Sequence, residues 1–176
     1  MSKSGEDISV SVVHEHEAQV ESFPQFSRVC LFFETKSQED YQKILSFVPV
    51  VKSDFYEVEV LVFYDGKIPE ELPENDLLYL FGKKDFNLLK HKKASLRNWL
   101  AAHKFDVLIS FVGDNRDKNE RIIKDVRAKM KVGPHFSEPG KHFDISIGKP
   151  GVKMNFEEFY MQVKHYISQL NIDFNR

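Results

Sequence analysis

The sequence predicts an α/β protein: a three-layer α/β/α sandwich on a mostly parallel sheet of about six strands, with four main helices. Three stretches carry this expectation. Phe105–Phe111 reads FDVLISF, and a polar turn, an amphipathic segment and Lys131-Val132-Gly133 follow it. That is the strand–helix–strand order of a parallel βαβ unit. Val29–Phe33 is an unbroken apolar run, as a strand buried on both faces requires. After Asn155, a suitable N-cap, the residues Phe156, Phe159, Tyr160, Val163, Tyr166, Ile167 and Leu170 recur in steps of three and four. They make one apolar stripe on an amphipathic helix.

Residues 1–25 read as an acidic extension, with Glu6, Asp7, Glu15, Glu17 and Glu21 against Lys3. Ile8, Val10 and Val12 alternate with polar residues there, which fits a short edge strand or a mobile tail. The α/β domain proper is expected over residues 26–176. Ser37 and Asp40 have the spacing of a capping box. Tyr41, Ile44, Leu45 and Val48 form a helical stripe, and Pro49 is expected to end it. Val58–Tyr64 is rich in β-branched and aromatic residues and reads as the second strand. Asp65–Asp76 is an acidic loop with two prolines. Leu77–Phe81 is the third strand, closed by Gly82.

A basic loop follows, then a helix near Ala94–His103 with Leu96, Trp99, Leu100 and His103 on one side. Asp106–Phe111 is the fourth strand. Asp117–Met130 reads as a helix with Ile122, Ile123, Val126 and Met130 on one face. Met130–Gly133 and Phe143–Ile147 are short strands joined by a link too brief for a crossover helix. One of the two is therefore expected to be antiparallel or a short edge segment. The order of elements is Rossmann-like.

At 176 residues the chain is of single-domain size, and its 41% hydrophobic and 30% charged content is that of a soluble globular protein. The net charge of −2 gives no general attraction to nucleic acid or to an anionic membrane. The lone Cys30 cannot form an internal disulfide. It sits in an apolar run without basic neighbours, as a small buried hydrophobe does. With neither a membrane-span-length apolar run nor a secretory signal pattern, the cytoplasm is the expected location.

The ligand side of an open α/β sheet lies outside the carboxyl ends of its strands. Those ends carry Glu34 and Thr35, Asp65 and Gly66, Gly82 and Lys83, then Gly113, Asp114, Asn115 and Arg116, and finally Gly133 and His135. Thr35, Asp65, Gly113, Asp114 and Asn115 are the candidate ligand-binding residues. The same residue types serve turns and helix caps equally well. VGDNRD resembles a phosphate loop only in its single glycine before a helix; neither the P-loop nor the dinucleotide fingerprint is present. Asp106 opens its strand and so belongs to the opposite edge.

Lys83–Lys104 holds seven Lys or Arg against Asp85. It suits a solvated face, a phosphate or an acidic partner. His14 and His16 stand two apart without a third ligand at any metal-site spacing. No catalytic set, metal site or cofactor is assigned.

Phe105–Gly133 resembles a family of small uncharacterised Bacteroidetes proteins classed as a domain of unknown function. The likeness rests on the Asp-apolar strand, on Ala128-Lys129-Met130-Lys131-Val132-Gly133, and on Phe143-Asp144-Ile145-Ser146-Ile147 before the closing helix. It is strongest over Leu89–Asn171, extends back to about Ser27, and implies a fold without an activity. The segment also resembles, more weakly, the N-terminal Rossmann-like half of heptosyltransferases, whose donor domain this length cannot hold. The expectation is a non-catalytic binding or interaction module for a protein partner. The alternative is a small polar or anionic ligand, such as a phospho-ligand, at the strand ends, in a transferase-like half-fold.

Overall fold

The computed structural model of the chain describes residues 9–12, 26–113, 116–135, 142–149 and 152–170. The strands are β1 (Ser9–Val12), β2 (Arg28–Thr35), β3 (Glu57–Tyr64), β4 (Leu78–Gly82), β5 (Phe105–Ser110), β6 (Ala128–Pro134) and β7 (Ile145–Gly148). The helices are α1 (Gln38–Lys52), α2 (Ala94–Ala102), α3 (Asp117–Asp125) and α4 (Phe156–Gln169), with a short 3-10 helix at Lys83–Asp85. The seven strands form one sheet in the order β1-β7-β6-β5-β2-β3-β4. β2 to β7 run parallel, and β1, from the acidic extension, lies antiparallel on β7. The predicted His14 and His16 lie outside the described residues.

Alternation along each strand feeds two cores. Val29, Leu31 and Phe33 of β2 face α1 and α4, together with Val60, Val62, Val107, Ile109, Val132 and Ile147. Cys30 and Phe32 face α2 and α3, together with Leu61, Phe63, Phe81 and Leu108. Because both faces are covered, Val29–Phe33 of β2 and Val60–Tyr64 of β3 run apolar without polar alternation. Burial pushes the Cys30 thiol well above its ordinary pKa, with Glu59 adding to the effect, so it is inert in the folded chain.

Capping follows the sequence. The Ser37 hydroxyl accepts the Asp40 N–H at 3.1 Å, and Asn155 Oδ1 accepts the Glu158 N–H at 2.8 Å. Tyr160 of α4 donates to Asp54 at 2.8 Å and Lys164 meets the same carboxylate at 2.9 Å, which ties α4 to the turn after α1. At the edge opposite the strand carboxyl ends, Asp106 accepts the Ser27 and Arg28 N–H groups, both at 3.0 Å.

Three sequence expectations need correction. α1 does not end at Pro49 but runs on to Lys52. A proline lacks an N–H and crowds the carbonyl four residues back, but both effects fall on the preceding turn, and the Pro49 carbonyl still accepts from Ser53 at 3.2 Å. α3 ends at Asp125, not Met130, which faces the other core from β6. The cause lies in Lys131, whose ammonium caps the Ile123 and Lys124 carbonyls at 2.6 and 3.1 Å and so fixes the helix end. β6 and β7 are parallel, not antiparallel, and β7 is internal because β1 covers it. The β6–β7 pairing is short, three residue pairs from Val132 opposite Ile145 to Pro134 opposite Ile147.

Gly133 of β6 lies directly beneath Phe143, and a Cβ there would fall inside the space of the ring. Gly133→Ala should therefore lower stability by about 1–3 kcal/mol in urea unfolding, and Phe143→Leu in the same chain should recover part of the loss. Ile167→Ala, at a fully buried site on α4, should cost about 2–5 kcal/mol by the same measurement.

Candidate functional site

Six parallel strands put six carboxyl ends on one edge. The strand order reverses between β2 and β5, where α1 leaves for one face and α3 for the other. This is the crevice where open α/β sheets place ligands. Here the chain's own side chains bridge it. Glu34, near the end of β2, accepts from Arg116 Nη1 at 2.9 Å and from Asn119 Nδ2 at 3.0 Å, both reaching over from the start of α3.

The residues expected to line a site take up different positions. Thr35 is buried, and its hydroxyl donates to the Ser37 carbonyl at 3.0 Å, which shapes the turn into α1. Asp65 lies 2.9 Å from Lys83 Nζ and 3.9 Å from Lys118 Nζ, and its N–H donates to the Thr35 carbonyl at 2.7 Å. The hydrogen bond from the Lys83 ammonium holds the Asp65 carboxyl below the usual range, against partial burial and with help from the charges of Lys118 and Arg116. Gly113 lies in the wall of an aromatic cavity. Asp114 and Asn115 fall outside the described residues. Thr35 and Asp65 thus meet at the ends of β2 and β3, while Gly113 stands apart.

Two cavities flank the bridged crevice. The first is a basic cleft of about 190 Å³ lined by Lys83, Lys90, Lys118 and Arg121, with Phe86, Asn87 and Asp117. Its outer wall is a tight turn. Asp85 Oδ2 accepts the Gly82 N–H at 2.8 Å, Asn87 N–H donates to the His91 carbonyl at 2.8 Å, and Lys93 N–H returns to the Asp85 carbonyl at 2.7 Å. Lys90 adopts a left-handed φ of 59° to close the loop. Arg121 donates to the Lys90 carbonyl at 3.0 Å and Lys92 pairs with Asp125 at 2.5 Å, so the turn is pinned to α3. At its tip Leu88 and Leu89 are 104% and 73% exposed. Lys118 lies 5.3 Å over the Phe63 ring, which orients its ammonium near the cleft.

The second cavity, of about 320 Å³, sits between the ends of β5 to β7 and the start of α4. Phe111, Phe156, Phe159, Ile147 and Met154 make it mostly apolar, with Gly113 and His135 at its wall. Phe111 is held by stacking on Phe33 at 4.3 Å. His135 Nδ1 is buried without a hydrogen-bond partner among the described residues.

Sequence reasoning located Lys83 and Lys90 in a basic stretch but missed Lys118 and Arg121. Their signal is the three-residue spacing that sets both on one side of α3. It also missed the contribution of α4 to the aromatic cavity, for which Phe156 beside the N-cap was the available sign. Among the described residues no helix is long and apolar enough to cross a membrane.

A family model described as a family of unknown function, DUF6913, matches residues 3–170. No curated protein matches the chain, and no solved structure does.

The Asp65–Lys83 pair gives a pH-dependent expectation. Because the folded-state pKa of Asp65 is depressed, its contribution is present above the unfolded carboxylate value and is lost as pH falls through the folded one. Asp65→Asn should therefore be less stable than the parent at neutral pH. The two melting temperatures should converge below about pH 3 to 4.

Proposed function

The chain belongs to DUF6913, a family of unknown function, and we propose for it a non-catalytic interaction module whose binding surface is the basic corner made by the Lys83–Lys93 turn and α3. The ligand is an acidic segment of a partner protein that also carries an apolar side chain. The observation behind this reading is the pair Leu88 and Leu89, held in water at the tip of a turn that Asn87, Lys90, His91 and Lys93 close with their N–H bonds. Folding gains nothing from two exposed leucines at a fixed position, whereas an apolar patch ringed by charge is what recognition surfaces carry. Lys84, Lys90, His91 and Lys93 surround the tip and are all exposed.

The adjacent cleft, at about 190 Å³, is smaller than the roughly 300–1,000 Å³ of small-molecule sites. It suits a single carboxylate or phosphate group, favoured by Lys83, Lys90, Lys118 and Arg121 against the one carboxylate of Asp117 in the cleft wall. Thr35 and Asp65 act in this reading as supports of the edge. The lone, buried Cys30 supports a reducing, cytoplasmic setting.

A second reading, a small-molecule site, is favoured by the aromatic cavity with its buried, unpartnered His135 Nδ1. Gly113 would belong to that site.

Amide NMR titrations separate the two. A peptide alternating Glu and Leu should shift residues 83–93 and α3. Leu88→Asp/Leu89→Asp should weaken it about tenfold or more and leave stability within about 0.5 kcal/mol. Added salt should also weaken binding. Shifts from nucleotides or sugar phosphates confined to Phe111, His135 and Phe156 would move the site to the aromatic cavity. No shift with any probe at millimolar concentration would sink both readings.

A further inference from the structure

β4 ends the sheet, and among the described residues no strand pairs with its outer side. Exposed edge strands are ordinarily blunted by a charge, a proline or a bulge, because their free backbone groups recruit other strands. β4 reads Leu-Tyr-Leu-Phe-Gly and has neither charge nor proline. Its backbone shows what the edge offers. The Val60 N–H donates to the Leu77 carbonyl at 2.8 Å. With Val60 opposite Leu78 and Val62 opposite Leu80, the parallel ladder turns the backbone groups of Tyr79 and Phe81 toward β3.

Leu78, Leu80 and Gly82 then face outward. The Leu78 N–H folds back onto the Asn75 carbonyl at 2.9 Å, and the Gly82 N–H onto Asp85 Oδ2 at 2.8 Å. Leu80, at the middle of the strand, keeps both its N–H and its carbonyl for an outside partner.

The charges beside this edge are split. Glu71, Glu74 and Asp76 precede the strand, Lys83 and Lys84 follow it, and all five are exposed. Among the described residues Glu74, Asp76 and Lys84 carry no ion pair. An antiparallel copy of β4 would bring the acidic end of each strand beside the basic end of the other, twice over. A parallel neighbour would set like charge against like.

We propose that the outer edge of β4 is a self-association surface: two copies of this chain pair antiparallel through β4 about a two-fold axis at Leu80. There the Leu80 N–H donates to the carbonyl of the partner's Leu80, and the reverse bond completes the pair. The interface is closed, so it stops at a dimer.

Light scattering and native mass spectrometry of the full chain across a concentration series test this. The unmodified chain should show a dimer that grows with concentration and weakens with salt. Glu74→Lys/Asp76→Lys makes both ends basic, and Lys84→Glu, which leaves the Asp65–Lys83 pair intact, reverses the free charge at the basic end. Each variant alone should dimerise about tenfold more weakly or worse. An equimolar mixture of the two should form the heterodimer, because opposite ends then meet again. A chain that stays monomeric at millimolar concentration overturns the proposal. So does a dimer that survives both charge reversals, or a mixture with no preference for the heterodimer. None of these readouts depends on a ligand at the basic corner.

Discussion

Burial of the sheet on both faces is the constraint on which this structure rests. Val29 to Phe33 in β2 are wholly shielded from solvent, and each successive residue belongs to the opposite core. A strand in that position can carry no polar side chain without an internal partner. In β2 polar chemistry is thereby confined to the strand ends, at Arg28 and at Glu34 and Thr35. Parallel pairing then gathers one set of ends on a single edge. Placement of the candidate cavities at that edge follows from hydrophobic burial rather than from any motif.

Elements whose pattern reports one environment were readable from the sequence. α4 carries a continuous stripe and a cap, and β2, β3 and β5 carry unbroken apolar runs. Errors arose where two elements share residues or where a long-range contact decides the end. Ile122, Ile123, Val126 and Met130 keep helical spacing, yet the chain turns before Met130 because Lys131 reaches back to cap α3. No local pattern announces a cap thirteen residues from the carboxylate, Asp144, that receives the Lys131 N–H at 2.7 Å. The place of β7 inside the sheet was hidden for a similar reason: the strand that covers its outer side, β1, comes from the other end of the chain.

The candidate site was legible as an edge and not as a set of side chains. Sequence reading placed Thr35 and Asp65 where they are, at the ends of β2 and β3. What their types could not reveal is that the protein already uses them, Thr35 in a turn and Asp65 against Lys83 and Lys118. Internal pairing across the switch point, with Glu34 bridging to Arg116 and Asn119, fills the centre of the edge and leaves open space to either side. One side is basic and the other aromatic. That division is a property of the fold, since it depends on which helix follows which strand.

The position of Cys30 has a practical corollary. The one thiol among the 176 residues lies in β2, an internal strand, fully enclosed beneath α2 and α3, so a labelling reagent can reach it only after that helix layer lifts from the sheet. The rate of alkylation in mild denaturant therefore clocks the opening of a core layer rather than of a loop. A compound that associates with the native form slows that clock in proportion to the occupancy it achieves. The molecule thus carries its own reporter of association, in a thiol that lines neither cavity.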